Sequence, residues 1–118
     1  MLSDVEWELN SYRYSEGNKS TLISGTTHSL NFNDESKTIR GGVDCNSSDS
    51  SYIADASEIK ITLISVPERA CSRIAETKYQ EQNSFILDAL SSLTTYLISD
   101  SILVLISADS SQLMYLSK

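Results

Sequence analysis

The chain has 118 residues, enough for one core and one domain, and it carries 9 Lys and Arg against 16 Asp and Glu, for a formal net charge of -7. A nucleic-acid-binding protein needs a positive surface that displaces counterions from phosphates, and the basic residues here stand apart, so we expect no nucleic-acid partner. No apolar stretch approaches the roughly 20 residues of a transmembrane helix, so we expect no membrane span.

The first half of the chain predicts short strands separated by turns. Val5, Trp7 and Leu9 alternate with acidic residues, which is the period of a strand with one buried face. Similar signals predict strands at 22–23, 28–32, 38–40 and 59–63, with a bend or bulge at Gly41-Gly42. The Ser-, Asp- and Asn-rich stretch 44–51 predicts a polar loop, followed by brief pairing at 52–53.

The second half begins with a helical pattern. Ile86, Leu90 and Leu93 are spaced by four and three residues, which predicts an amphipathic helix from about Tyr79 to Leu93, and Thr77 with Gln80 has the form of a capping box. Strands follow at 96–98, 102–106 and 113–116, with turns at 99–101 and 109–111.

Together these elements predict a mostly β (α+β) fold. We expect a curled antiparallel sheet or a small open barrel of about seven to eight strands, with one main helix packed on it. The stripe of Ile86, Leu90 and Leu93 should pack on the inner face of the sheet, opposite three residues of the candidate core: Trp7, Phe32 and Ile61. An apolar cleft, if there is one, should lie where the helix crosses the sheet.

Candidate catalytic and metal-binding residues are sparse. Cys71 and His28 could serve as nucleophile and base, but no third residue is identifiable that would orient the imidazole, which favours structural roles for both. The oxygen-rich stretch 44–49 lacks the ligand spacing, turn glycine and closing glutamate of an EF-hand loop. We therefore expect no catalytic residue, no metal, no cofactor and no enzymatic activity.

Five tyrosines leave two interpretations open. They could line a binding groove, or they could occupy ordinary strand positions with their hydroxyls at the rim of the core, which is the simpler interpretation. The five are Tyr12, Tyr14, Tyr52, Tyr96 and Tyr115.

Short motifs follow one another in an order that points to a family. The series comprises Trp7-Glu8-Leu9, Leu30-Asn31-Phe32, Ile39-Arg40-Gly41, Cys45-Asn46, Tyr52, Ile59-Lys60-Ile61, Ala70-Cys71, the segment 85–90, Tyr96-Leu97-Ile98 and Leu103-Val104-Leu105. The most specific part is Gly41-x-x-x-Cys45-Asn46, followed by Tyr52 and then Cys71. In this order the motifs resemble the META/HslJ domain family, as a single domain over residues 1–118.

The resemblance implies one compact antiparallel β domain that is often exported or lipid-anchored in bacteria and linked to stress responses or virulence. It brings no catalytic residues with it. We therefore expect a monomeric, non-enzymatic, envelope- or stress-associated domain that binds an unknown protein partner or an apolar ligand. A purely structural or interaction module without a ligand cleft is the alternative, and a Cys-dependent redox protein or enzyme comes third.

Cys45 and Cys71 take their expected role from the same resemblance. Their positions in the family-like pattern predict a disulfide, whereas the residues alone also allow two buried thiols. A disulfide implies an oxidising compartment, so we expect an exported protein, periplasmic or anchored at the outer membrane. The N-terminal residues lack a basic region followed by an apolar one, so the export signal would be absent from this sequence, and a cytoplasmic location is the alternative.

Overall fold

The computed structural model describes residues 2, 5–14, 17, 19–22, 26–43, 46–65 and 77–117. Within these ranges the chain forms nine strands and one helix. They are β1 (Glu6–Arg13), β2 (Lys19–Thr21), β3 (His28–Asn33), β4 (Thr38–Val43), β5 (Asn46–Ala54), β6 (Ile59–Ser65), α1 (Thr77–Ser91), β7 (Leu93–Ser99), β8 (Ile102–Ser107) and β9 (Gln112–Ser117).

The strands build one antiparallel sheet that curls into a nearly closed barrel. Its order is β6-β5-β4-β3-β1-β9-β8-β7, and the short β2 pairs with the second half of β1. Most neighbours in this order are joined by hairpins, because consecutive antiparallel strands pair through short turns. The predicted mostly β fold with one packed helix is confirmed, with eight strands along the curled sheet and β2 beside them.

The interior of the barrel holds one apolar core. Alternation along β1, β3, β8 and β9 directs every second side chain inward, which the period of two predicted. The six candidate core residues all lie in this buried cluster: Trp7, Phe32, Ile61, Ile86, Leu90 and Leu93.

The prediction that the helix runs through Leu93 is wrong. The helix ends at Ser91, and Leu93 begins β7, where it is nevertheless buried. The Ser91 hydroxyl donates to the Leu87 carbonyl oxygen at 2.6 Å, and the Ser92 hydroxyl donates to that of Asp88 at 3.0 Å. These hydroxyls satisfy carbonyl groups that have no partner in the last helical turn, so the chain can leave the helix there.

The prediction of a polar loop at 44–51 is also wrong over most of its length, because β5 begins at Asn46. This strand pairs with β4 on one side and β6 on the other, with Asp49 opposite both Arg40 and Ser65. Two ladders outweigh the weak strand preference of serine and aspartate. The ladder also passes Gly41 and Gly42 without a shift in register, so the bulge expected there is absent. Near the strand expected at 22–23, β2 ends at Thr21, and Ile23 lies outside the described residues.

Three hairpin turns are held by a side-chain oxygen that accepts hydrogen bonds from nearby groups. Asn33 Oδ1 accepts from the amides of Glu35 and Ser36 at 3.0 and 3.2 Å. Asp55 Oδ1 accepts from the amides of residues 57 and 58, and hydrogen bonds from the amides of Glu58 and Ser57 lower the pKa of its carboxyl. Asp109 Oδ1 accepts from the hydroxyl of residue 107 and the amide of residue 111, and its pKa is lowered mainly by the hydroxyl.

Helix α1 covers one side of the barrel and contacts β6, β8 and β9. Ile86 is fully buried, and Leu90 lies in the same buried cluster as Trp7, Phe32 and Ile61. Phe85 packs against Tyr12 and Tyr14, with ring centroids 5.2 and 4.3 Å apart. The described part of the chain contains no helix with the length and apolar character that a membrane crossing requires.

Candidate functional site

Among the described residues, the barrel closes where its two terminal strands begin, through a few backbone and side-chain contacts. β6 and β7 lie at the ends of the strand order and meet through one isolated bridge, between Glu58 and Thr95. Next to the bridge, the Tyr96 amide donates to the Ser57 carbonyl oxygen at 2.9 Å, and the Tyr96 hydroxyl donates to the carbonyl oxygen of Asp55. We call this junction the seam.

The edge of β7 is open beyond Tyr96. Ser99 and Ile102 close the β7–β8 hairpin, and the Tyr96 amide points away from β8 toward Ser57. Backbone groups alternate sides along a strand, so the N–H and C=O of Ile98 also point away from β8. Among the residues that the structure describes, no strand pairs with this stretch. Within the described part of the chain, the stretch 97–99 is therefore an unpaired sheet edge with a donor and an acceptor at its centre.

A cavity of about 240 Å³, which we call the mouth, lies beside this edge. Tyr52 and Tyr96 supply two of its walls, and Leu2, Ala54 and Ile98 add apolar surface. The Tyr52 ring is held edge-on against the buried Phe32, with centroids 5.1 Å apart and planes at 90°. One wall is therefore rigid and aromatic, as is common in sites that bind apolar groups.

The rim of the mouth is net negative. The Lys37 ammonium lies 2.6 Å from the Asp34 carboxylate, and the Tyr52 hydroxyl donates to the same oxygen at 3.3 Å. The hydrogen bond from Lys37 lowers the pKa of Asp34, and the same bond raises the pKa of Lys37. Asp55, whose pKa is also lowered, lies on the same rim. Two ionised carboxylates thus face one ammonium at neutral pH.

A second cavity, of about 350 Å³, lies on the other side of the bridge. It shares Ala54 and Asp55 with the mouth and is bordered by Ile59 and Leu93, the first residues of β6 and β7. Ile53, whose side chain is 77% exposed, stands at its margin. The seam is therefore flanked by cavities on both sides.

The structure divides the five tyrosines among three places. Tyr52 and Tyr96 meet at the mouth, Tyr12 and Tyr14 cluster with Phe85, and Tyr115 is buried in the core. Burial raises the pKa of the Tyr115 hydroxyl. Tyr115 therefore occupies an ordinary core position, whereas Tyr52 and Tyr96 line a cavity.

The suggested pairing of Cys71 with His28 is not tested by the described residues. His28 is buried inside the barrel on β3, whereas Cys71 lies outside the described residues, as does Cys45. The disulfide between Cys45 and Cys71 therefore stays a prediction.

Sequence reasoning missed Asp34, Lys37 and Ile98 as site residues. The turn that contains Asp34 was predicted, but nothing in the sequence places it beside Tyr52 and Tyr96. Ile98 was predicted in a strand, yet a strand's place at the end of a sheet is a property of the whole sheet.

Similar solved structures show the same fold. The NMR structure of a protein from Burkholderia xenovorans aligns over 99% of this chain and 83% of that one, with a TM-score of 0.76 and 17% identity. The crystal structure of a DUF4847 family protein from Bacteroides vulgatus aligns over 98% and 94%, with a TM-score of 0.74 and 12% identity. No curated protein matches the chain. The META domain profile matches residues 1–118, the whole length given, so the chain belongs to the META domain family.

Proposed function

We propose that this domain is a non-enzymatic binding module of the bacterial envelope that captures an extended segment of a protein partner at the seam. The observation that carries the proposal is the open edge of β7 at Ile98, beside the tyrosine-walled mouth. An exposed edge binds extended chains through backbone hydrogen bonds, and adjacent pockets select their side chains. Envelope location and a link to stress responses rest on the family resemblance alone.

The geometry suggests how such a segment would lie. Its backbone would pair with the N–H and C=O of Ile98, continuing the sheet by one strand of about three or four residues. Successive side chains would point to opposite faces of the sheet. One would enter the mouth between Tyr52 and Tyr96, and the next would lie on the outer face beside Leu97, which is 64% exposed.

The charge of the rim suggests the composition of that segment. The rim has two carboxylates, Asp34 and Asp55, against the one ammonium of Lys37, and the whole chain has a formal net charge of -7. A segment with an apolar or aromatic residue next to a lysine or arginine fits this rim, because opposite charges steer association and fix register. An acidic segment would be repelled.

The first experiment is amide hydrogen exchange of the free protein. The Ile98 amide should exchange fast, whereas the amides of Leu97 and Ser99, which face Val104 and Ile102 in the β7–β8 ladder, should be protected. An Ile98 amide as protected as its neighbours would mean that the edge is already covered, and the proposal would fail.

The second experiment selects random hexapeptides on the immobilised protein and follows binding by NMR. Selected peptides should be rich in apolar and basic residues and should shift the resonances of Tyr52, Tyr96 and Ile98. Ile98→Pro removes an amide that the β7–β8 ladder does not use and should weaken binding by about tenfold. Ile98→Ala is the matched control, since it loses the same side chain but keeps the amide. Equal losses in both variants, or no peptide selected, would favour the structural module without a ligand cleft.

A further inference from the structure

Two basic residues face each other on the outer surface of the barrel, away from the seam. Arg13 on β1 lies directly opposite Lys19 on β2, and both are exposed. Lys37 and Arg40, by contrast, each lie near a carboxylate, at 2.6 and 3.8 Å. Neither Arg13 nor Lys19 has such a partner among the described residues. Like charges directly opposite on paired strands are destabilising, so an anion bound between them would relieve a repulsion.

The same two residues border a small cavity of about 120 Å³. Gln112 on β9 lies opposite Arg13, so Lys19, Arg13 and Gln112 form a polar row across three strands. Each presents hydrogen-bond donors: an ammonium, a guanidinium and an amide. The cavity thus has a donor-rich side that suits a carboxylate, which guanidinium groups bind in bidentate fashion.

The other side of the cavity is apolar. One step along the strands, Ser11 faces Met114, which faces Val104, which in turn faces Leu97. Ser11 is only 2% exposed and forms the floor, while Met114 and Val104 are half-buried. An apolar row therefore starts at the cavity and ends at the exposed Leu97, about 7 Å along the strands from the polar row.

Toward β7 the surface beyond this cavity is uncharged, whereas Glu8 on β1 lies opposite Leu116 at its margin. The outward positions of β7, β8 and β9 hold Thr, Ser and Gln besides apolar residues, and the apolar ones include Ile102 and Leu116, which face each other and are 39% and 37% exposed. Outward apolar residues on three neighbouring strands are not what a wet sheet face carries. A contiguous apolar patch with charged groups at its margin marks a binding surface.

We propose that Arg13, Lys19 and Gln112 bind the carboxylate of an organic anion whose apolar chain lies over Met114 and Val104 toward Leu97. The ligand needs only one negative charge, because the formal net charge of -7 on the whole chain repels polyanions. The carboxylate can belong to a free aliphatic acid or to the C-terminus of an apolar peptide. The carboxylate end of this site lies away from the seam, the apolar row reaches Leu97 beside it, and the proposal does not depend on the function proposed at the seam.

Titration with octanoate, octanol and acetate tests the proposal by NMR. Octanoate should shift the resonances of Gln112, Met114 and Val104, and octanol and acetate should each bind at least about tenfold more weakly, since each lacks one half of the ligand. Arg13→Gln and Lys19→Gln should each weaken octanoate binding by about tenfold, whereas the control Lys60→Gln, an exposed strand lysine on β6, should not. Equal affinity for octanoate and octanol, or equal losses in Lys19→Gln and Lys60→Gln, would overturn the proposal.

Two further measurements complete the test. A tetrapeptide that ends in leucine with a free C-terminal carboxylate is compared with its C-terminal amide and with octanoate. If the peptide carboxylate binds more tightly than octanoate, the source is a peptide terminus. If octanoate binds more tightly, the source is a free aliphatic acid. If neither octanoate nor the free-acid peptide binds, the proposal is overturned. The unfolding temperature of ligand-free Lys19→Gln should not fall below that of the unchanged protein, because the substitution removes a repulsion. A lower value would contradict that premise.

Discussion

The barrel has a closed side and an open side, and they differ in how neighbouring strands are joined. On the closed side, β9 pairs with β8 and, across one register shift between Leu9 and Ser11, with β1, and Leu103, Leu105 and Leu113 beneath them are fully buried. At the seam, β6 and β7 share one isolated bridge, with cavities on both sides. Both sides contribute buried side chains, but among the described residues only the seam side leaves part of a long strand edge, that of β7, without a ladder partner.

The connectivity explains this difference. β8 follows β7 through a two-residue turn, and β9 follows β8 through a short one, so their registers are set locally. Between β6 and β7 the chain instead contains α1, which packs on β6, β8 and β9, so no short turn sets the register of β6 against β7. Only the beginnings of β6 and β7 are left to meet. Among the described residues, the unpaired edge of β7 therefore lies at a connection that is not a hairpin.

The largest expected contrast comes from truncating one side chain on each side. Leu105→Ala should lower the free energy of unfolding by about 3–5 kcal/mol, because a fully buried leucine leaves a cavity. Ile98→Ala at the half-buried mouth should cost about 1–2 kcal/mol, because part of its surface is already in water. Urea unfolding of both variants checks this, and equal costs would show that the seam is packed as well as the closed side.

The predicted disulfide would strengthen the open half. Cys45 immediately precedes β5, and β6 leaves the sheet at the same end, since its last residue Ser65 pairs with Asp49 near the start of β5. A bond between Cys45 and Cys71 would close a loop of roughly 27 residues and add about 3–4 kcal/mol. Protein recovered from an oxidising compartment should contain no free thiols when unfolded without reductant. Two free thiols would contradict the disulfide and favour the cytoplasmic alternative.

A smaller effect is expected at the bridge itself. Tyr96→Phe removes the hydroxyl that donates to the Asp55 carbonyl oxygen but keeps the ring in place. The expected loss is about 1 kcal/mol, the net value of a typical hydrogen bond, together with faster exchange of the Tyr96 amide. Tyr52→Phe is the matched control, because its hydroxyl bonds to Asp34 and not across the seam. Unchanged exchange at Tyr96 would show that the bridge does not depend on this hydroxyl.

The smallest effect concerns pH. Asp55 at the seam and Asp109 on the closed side both have lowered pKa values, because amide and hydroxyl groups donate to their carboxylates. A carboxyl with a lower pKa in the folded state stabilises the protein above its unfolded pKa, and this stability is lost as pH falls through the folded pKa. The urea concentration at the midpoint of unfolding should therefore decrease as the pH is lowered below about 5.

Single substitutions separate the two sides in that measurement. Asp55→Asn and Asp109→Asn should each flatten the decline, and Glu81→Gln on the exposed surface of α1 controls for the loss of one charge. A decline that neither aspartate variant changes would assign the pH dependence to other carboxyls.

The sequence by itself determined the inward and outward faces. Alternation around Trp7 and Phe32 and the helical spacing of Ile86 and Leu90 identified the core, because each strand or helix must bury one apolar face wherever its neighbours lie. The family followed from the order of short motifs, which the match over residues 1–118 confirms. These signals are local in the chain, so they can be read before the fold is known.

Tertiary structure alone decided the rest. The serines of β5 form a strand because they pair with β4 on one side and with β6 on the other. Leu93 is not helical, because it is the first residue of β7. Tyr52 and Tyr96 meet at the mouth only because the sheet curls until its ends approach. Periodicity records that a face is buried but not which strand lies beside it, and an open edge depends on pairings distant in sequence.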